Sequence, residues 1–390
     1  MKNLNFFESK KAWSRFKDNI LNNYLEPYIS KIRTTNKLLT IIDCFAGKGK
    51  FDDGEPGSPL IIMDKIHQRI EKIRFPEISG IFIEKKYYSE LLNNVKSYKN
   101  CEVWNGTFED NLSKILKLDS DQNIFIYVDP YGICSLDFDR FKKISEHKFR
   151  TLEILLNFNS VGFLREGFRI FKCKEDIFKD FEDLNYEKEE NPNSELLDKI
   201  ANGNYWKDII LNYRNGLIDF WQAEKYLSNQ YGEKYNKIFK HMVNIPIYDS
   251  KTKQLKYRLY FGTNHDDGIL LMCDIMNRIS KKIHEEIQKG QLALFEYSLT
   301  SPLPKNDEEI DNYIFSILKN IKHSISIKNL GVNLIKYFDI KYSLTEYRKV
   351  LKRLESSGKI KCKRDPGYTK LRKISTFMDF YKKIEISNNQ

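Results

Sequence analysis

The stretch Leu38-Leu39-Thr40-Ile41-Ile42-Asp43-Cys44-Phe45-Ala46-Gly47-Lys48-Gly49 is the one on which the fold turns. An apolar run rich in Ile and Leu ends in an acid and then breaks into small residues and glycines. That pattern predicts a buried parallel strand feeding a tight turn that opens toward a bound ligand. Gly47 and Gly49 let the backbone come close to the ligand and take φ values that a side chain would forbid.

On the N-terminal side of this stretch, Trp13, Phe16, Ile20, Tyr24 and Leu25 recur on one face of residues 8–33 and predict an amphipathic helix. On the C-terminal side, a loop over Asp52–Leu60 leads into a helix at about 58–73. Ile78–Glu84, Cys101–Asn105, Ile124–Asp129 and Leu152–Phe158 read as further strands, with helices at 86–96 and 108–117 between the earlier ones. Strands alternating with helices imply right-handed βαβ crossovers and a parallel, doubly wound sheet. Residues 161–241 read as a mostly helical, aromatic insertion, with Asn185–Ser194 an exposed polar loop. Met242–Tyr248 and Leu255–Thr263 are two strands about a turn at Asp249-Ser250-Lys251, followed by a helix over 266–289. Ser301–Asp307 is a linker. Helices at 307–321, 326–338 and 343–357 follow it, and then Lys359–Arg364 and Leu371–Ser375 flank an Asp365-Pro366-Gly367 turn. Three short helices and a hairpin spell a winged helix. The expected fold is α/β: a doubly wound, Rossmann-like sheet with a helical insertion at about 161–241 in a first domain over 1–300. A C-terminal winged-helix domain over 301–390 completes it.

Composition narrows the class. An apolar content of 41% and an aromatic content of 14% fit a folded chain rather than a disordered one. No apolar run approaches the roughly 20 residues that span a bilayer, and the first eight residues lack the apolar core of a signal peptide. Cys44, Cys101, Cys134, Cys173, Cys273 and Cys362 form no C-x-x-C pair, and the six histidines show no H-x-x-x-H spacing. Reduced thiols, no metal site, no membrane and a cytoplasmic location are therefore expected. The net charge of +11 favours a polyanionic partner.

The D-x-F-A-G-x-G pattern at Asp43–Gly49 resembles the first motif of S-adenosylmethionine (SAM) methyltransferases rather than the G-x-G-x-x-G of dinucleotide binders. SAM is thus the expected cofactor, held by Asp43, Phe45, Ala46, Gly47, Gly49, Glu84, Asn105, Thr107 and Phe108. Asp43 is placed to contact the methionine amino group, directly or through water. Glu84 ends the second strand, where an acid can accept from ribose hydroxyls. Asn105, Gly106, Thr107 and Phe108 end the third, where adenine is normally bound, although Phe108 equally suits the core. Asp129-Pro130-Tyr131-Gly132 resembles the D-P-P-Y or N-P-P-Y loop of methyltransferases acting on adenine N6 or cytosine N4. In that chemistry the acid and a proline carbonyl accept from the exocyclic amine while the aromatic ring stacks on a base flipped out of the duplex. Asp129, Pro130 and Tyr131 are the catalytic candidates. The second proline is missing and the tyrosine comes one position early.

Seven segments in order resemble the three-Cys-motif partner protein family: Ile41–Gly49 with Phe51, Glu55–Leu60, Ile81–Lys85, Val103–Phe108, Val128–Gly132, Glu153–Phe158 and Phe261–His265. The resemblance implies a Rossmann-type SAM methyltransferase beside a partner with three cysteines, itself similar to radical-SAM iron–sulfur proteins. The Gly57–Leu60 loop helps close the pocket, or Ser58 simply caps a helix whose first residue is Pro59.

From Lys341 to Lys373 the tail carries twelve Lys or Arg against Glu346, Glu355 and Asp365, a local charge of +9. Arg348, Lys349, Lys352 and Arg353 lie opposite the apolar face of the third tail helix, and Lys361, Lys363 and Arg364 lie in the wing. These residues are the nucleic-acid-binding candidates, with DNA ahead of RNA. The resulting expectation is a SAM-dependent methyltransferase acting on nucleic acid. Its competitor is a non-catalytic SAM- and nucleic-acid-binding accessory subunit of an iron–sulfur partner.

Overall fold

In a computed structural model, residues 10–73, 77–173, 192–248, 255–288, 306–321, 323–368 and 373–389 are described. The chain divides into two units, Met1–Asn264 and His265–Gln390.

The first unit opens with α1 (Ala12–Ile32) and a short 3-10 turn at Arg33–Thr35. Then come β1 (Leu39–Asp43), α2 (Ser58–Ile73), β2 (Ile78–Glu84), α3 (Tyr88–Val95), β3 (Cys101–Asn105), α4 (Phe108–Ile115) and β4 (Asn123–Val128). They are followed by α5 (Phe138–Glu146), β5 (Thr151–Phe158), α6 (Ser160–Ile170), α7 (Ser194–Ala201), α8 (Tyr205–Arg214) and α9 (Phe220–Tyr235). The hairpin of β6 (His241–Tyr248) and β7 (Leu255–Thr263) closes the unit.

The seven strands lie in the order β3-β2-β1-β4-β5-β7-β6. The first five are parallel, while β7 runs antiparallel to β5 and β6 antiparallel to β7. The order reverses direction between β1 and β4, which makes their carboxyl ends the switch point where ligands bind in open α/β sheets. β1, β4 and β5 are buried along their whole length, as near-continuous apolar runs in a sheet covered on both faces should be. On one face Tyr24 of α1 stacks on Phe125 and meets Phe261 edge-on. On the other, Ile126, Val128, Ile154 and Leu156 join a core that takes in α4 to α9.

The described part of the 161–241 insertion is helical, as expected; Asn185–Asn191 and the Asp249-Ser250-Lys251 turn fall outside the described residues. α5 was not anticipated. Its apolar positions Phe138, Phe141 and Ile144 recur at helical spacing, and Asp137 caps it by accepting from the Asp139 N–H, but it is only nine residues long.

The second unit contains α10 (Asp266–Gln288), α11 (Asp307–Asn320), β8 (Ile325–Ser326), α12 (Ile327–Phe338), α13 (Leu344–Ser356), β9 (Ile360–Asp365) and β10 (Lys383–Asn388). Its three strands form an antiparallel sheet in the order β8-β10-β9. α10 belongs here rather than with the first domain: Asp274 accepts from the Leu344 N–H at 3.1 Å, and Asn277 donates to the Ile340 carbonyl at 2.6 Å. The 300/301 boundary and most of the Ser301–Asp307 linker lie outside the described residues. The partner of β9 is Lys383–Asn388, not Leu371–Ser375. Ile374 makes only an isolated bridge to Tyr368, while Ile384 and Ile386 supply the buried alternation that pairs β10 with the core.

Candidate functional site

The turn after β1 is held from three sides. The Cys44 N–H donates to the Tyr127 carbonyl at 2.9 Å, the Ala46 N–H to the Ile83 carbonyl at 3.1 Å, and Gly57 to the Gly49 carbonyl at 2.9 Å. Gly47 and Gly49 take φ of +60° and +77°, the left-handed region that favours glycine. Phe45 and Gly47 are half-buried and Ala46 and Gly49 buried, so the turn offers mainly backbone.

Asp43 is fully buried at the end of β1. One carboxylate oxygen accepts from the Phe45 N–H at 3.1 Å; the other, Oδ2, has no hydrogen-bond partner. Burial raises its pKa to about 7; the nearby Ser58 hydroxyl, which makes no hydrogen bond to Oδ2, and the Phe45 N–H oppose the rise, and Asp129 and Glu84 add to it. Glu84 is committed to backbone. It accepts from Gly47 at 2.8 Å, Lys86 at 2.7 Å and Tyr87 at 2.9 Å, leaving about one of its roughly four acceptor sites. Asn105 is exposed at the end of β3. The Thr107 hydroxyl caps α4 by accepting from the Asp110 N–H at 3.1 Å. Phe108 is 1% exposed, packed beneath Phe45 and against Phe141, so its side chain presents no surface to a ligand.

Asp129 follows β4, level with Asn157 in β5. Lys17 of α1 donates to both of its oxygens at 2.6 Å, Asn157 Nδ2 donates to Oδ1 at 2.7 Å, and the Tyr127 hydroxyl donates to Oδ2 at 3.2 Å. Pro130 is buried; Tyr131 is 55% exposed beside it. The start of α1 is clipped to the loop after the glycine turn. Lys10 Nζ reaches the Pro56 carbonyl at 2.6 Å and Asp18 at 2.5 Å, and Arg15 reaches Glu55 at 2.5 Å. Burial pushes Asp18 up to about 6, with Lys10 and Lys17 opposing. Four acids, Asp18, Asp43, Glu84 and Asp129, thus share this edge with two buried lysines. The surplus of negative charge suits a cation.

Lys17, Asn157 and Asp18 were not singled out from the sequence. Lys17 had a signal: it falls on the apolar face of α1, four residues after Trp13 and three before Ile20, where a charge is out of place. Asn157 likewise interrupts the apolar run of β5.

In the second unit, Lys349, Lys352, Lys361 and Lys363 are exposed. Two of the three arginines are committed to acids. Arg364 makes a two-pronged pair with Glu355 at 2.7 and 2.6 Å and donates to the Phe377 carbonyl; its side chain is almost buried. Arg353 bonds Asp311 at 2.7 Å, and Arg348 lies over Phe380 with Asp379 at 3.7 Å. Arg364 therefore ties β9 to α13, and its guanidinium is largely taken up by Glu355 and the Phe377 carbonyl. Among the described residues there is no His/Cys/Asp/Glu group able to hold a metal ion, and no helix is long and apolar enough to cross a membrane.

No protein-family model matches the chain, and no curated protein matches it. Among solved structures it is similar to the spermidine synthase from Thermotoga maritima, at 9% identity over 80% of this chain and 76% of that one, with a TM-score of 0.33. It is also similar to the O-methyltransferase TomG from Streptomyces achromogenes, solved with SAM, at 10% identity over 66% of this chain and 92% of that one, TM-score 0.32. A third is the plantazolicin methyltransferase BamL, solved with SAH, at 12% identity over 65% and 87% of the two chains, TM-score 0.30.

Proposed function

We propose that the chain is a SAM-dependent methyltransferase acting on a base amino group of nucleic acid, DNA ahead of RNA, with its C-terminal unit holding the substrate. The observation that carries the reading is the buried, unpartnered Asp43 Oδ2 at the switch point, amid more acids than lysines. An orphaned buried acceptor costs about 1–3 kcal/mol, and the ammonium of a bound SAM would satisfy it. Gly47 and Gly49 would let the backbone close on the cofactor, Glu84 would hold the turn and offer its remaining site to the ribose, and Asn105 would lie at the adenine. When bound, SAM supplies an electrophilic methyl on a sulfonium, and the acceptor nitrogen forms the C–N bond as the C–S pair stays on sulfur. Asp129 contributes a fixed negative charge beside the nitrogen as it becomes cationic, Tyr131 offers an exposed ring for the base, and the released proton passes to water.

The C-terminal unit supports a winged-helix reading through its order: helix, strand, two helices and two strands, with β8-β10-β9 antiparallel. α13 would enter a groove, and Lys349, Lys352, Lys361 and Lys363 would meet phosphates.

One observation favours a second reading, an accessory subunit beside an iron–sulfur, three-Cys-motif partner: both Asp129 oxygens already accept from Lys17, Asn157 and Tyr127. Methyl transfer from tritiated SAM to duplex DNA, single-stranded DNA and structured RNA decides between them. Label in one nucleic acid, lost in Asp129→Ala with SAM affinity kept, supports the enzyme. SAM binding with no label in any of them supports the accessory subunit.

A further inference from the structure

Two groups beside Asp129 are left over from the roles given above. The Lys17 ammonium has three N–H donors. Two go to Asp129 Oδ1 and Oδ2, and the Tyr257 ring lies 4.9 Å from Nζ. No oxygen takes the third among the described residues. Asn157 is 2% exposed and gives one amide N–H to Asp129 Oδ1. Its own Oδ1 is buried without a partner. The amide cannot be turned round to cure this, because its oxygen would then face a carboxylate. One donor that faces only the Tyr257 ring and one spare acceptor therefore hang from the same Asp129 oxygen.

Stability does not account for the arrangement. Desolvating a lysine costs several kcal/mol, and a buried ion pair exchanged for apolar side chains often leaves a protein as stable or more so. Lys17 occupies an apolar stripe of α1 in which a leucine would pack.

We infer that Lys17 and Asn157, oriented by Asp129, read the edge of an amino-substituted nitrogen heterocycle. Asn157 Oδ1 accepts from the exocyclic amine, and the third Lys17 N–H donates to the ring nitrogen next to it. A 6-aminopurine or a 4-aminopyrimidine presents that donor beside that acceptor; a hydroxyl or an aliphatic amine has no use for the lysine. The inference rests on the reading of the chain as a base amino-methyltransferase, and it moves recognition of the amine from the donor-saturated Asp129 to Asn157.

The test uses the full chain, tritiated SAM, and single- and double-stranded DNA oligonucleotides carrying adenine or 1-deazaadenine, and cytosine or 3-deazacytosine. With the wild-type chain the natural base should exceed its deaza analogue by about tenfold in kcat/KM. In Lys17→Met that ratio should collapse to about one, while Lys17→Arg should keep it; the ratio cancels the analogue's altered amine reactivity. Asn157→Ala should lower kcat/KM at least tenfold for the natural base and its analogue alike, with SAM affinity and melting temperature held. A ratio that survives in Lys17→Met, or an undiminished Asn157→Ala, overturns the inference and leaves the methyltransferase reading standing. SAM binding without transfer to any oligonucleotide overturns both.

Discussion

Lys17 and Lys361 are both central to the functional reading, and their surroundings differ in every respect. Lys17 is 5% exposed, clamped by both oxygens of Asp129 on the inner face of α1. Lys361 stands in solvent on β9, as do Lys363 beside it on the same strand and Lys349 and Lys352 on α13. At the carboxyl edge of the large sheet, charge is buried and fixed by hydrogen bonds, so it can act at one point in space. On the second unit it is solvated, so it can act only through its sum and through salt. One arginine crosses this divide: Arg364, in the basic tail, is internal like Lys17.

The sharpest way to break the comparison is to remove one half of the buried pair. Lys17→Met leaves Asp129 with only Asn157 and Tyr127 and should cost about 3 kcal/mol in urea denaturation, the low end for a broken buried pair because Asp129 is a quarter exposed. Lys17→Met with Asp129→Leu should recover most of that loss, although removing Asp129 abolishes turnover. A double variant no more stable than the single one would mean that the pair is there for the fold.

Glu153 offers a test without functional overlap. It is buried in β5, accepting from the Tyr24 and Thr263 hydroxyls at 2.6 and 2.8 Å, and burial raises its pKa to about 7 against those two bonds. The folded chain therefore holds this proton more tightly than the unfolded chain does. Its contribution is favourable below about pH 4 and is lost as the pH rises to 7. Glu153→Gln should stabilise the protein by about 3 kcal/mol at pH 8 and by almost nothing at pH 4. Equal effects at both pH values would mean that Glu153 is not the group titrating.

These two residues also show where sequence reading stops. The strand–turn–strand frame was legible because β1, β4 and β5 are buried on both faces and so appear as apolar runs ending in Asp43, Asp129 and Asn157. The glycines at 47 and 49 announced the turn by the φ they adopt. Contacts between distant segments were not legible. Nothing in Asp129-Pro130-Tyr131-Gly132 says that Lys17, more than a hundred residues earlier, fills the carboxylate, or that Glu84 spends its lone pairs on three backbone amides. The basic count in the tail was correct, yet a count cannot separate Arg364, paired with Glu355, from Lys363 in water. The hairpin partner of β9 was misplaced because the turn at Asp365-Pro366-Gly367 suggests a short loop, whereas the buried Ile384 and Ile386 pair farther along the chain.

Asp43 carries the next effect, in binding rather than stability. With its pKa near 7 and an orphaned oxygen, it must lose its proton before it can pair with an ammonium. SAM affinity by calorimetry should therefore weaken about tenfold for each pH unit below 7, equivalent to about 1.4 kcal/mol, and level off above 8. Asp43→Asn should bind weakly at every pH, with a flat profile. A wild-type profile that is already flat would remove Asp43 from the cofactor pocket.

The smallest effects belong to the exposed lysines, and their pattern is what separates the two regions. Changing Lys349, Lys352, Lys361 or Lys363 singly to Ala should move stability by no more than about 0.5 kcal/mol, because a solvated charge on a surface holds little structure together. Each change should nevertheless lower the slope of log K for DNA against log salt by about 0.9, the share of one phosphate contact on duplex DNA. Arg364→Ala should leave that slope unchanged, since its guanidinium is already spent on Glu355 and the Phe377 carbonyl. Melting curves and fluorescence anisotropy over 50–300 mM salt read both quantities. If Arg364→Ala lowers the slope as the lysines do, the tail does not divide into structural arginines and binding lysines. If none of the five changes it, the positive face serves something other than a nucleic-acid backbone.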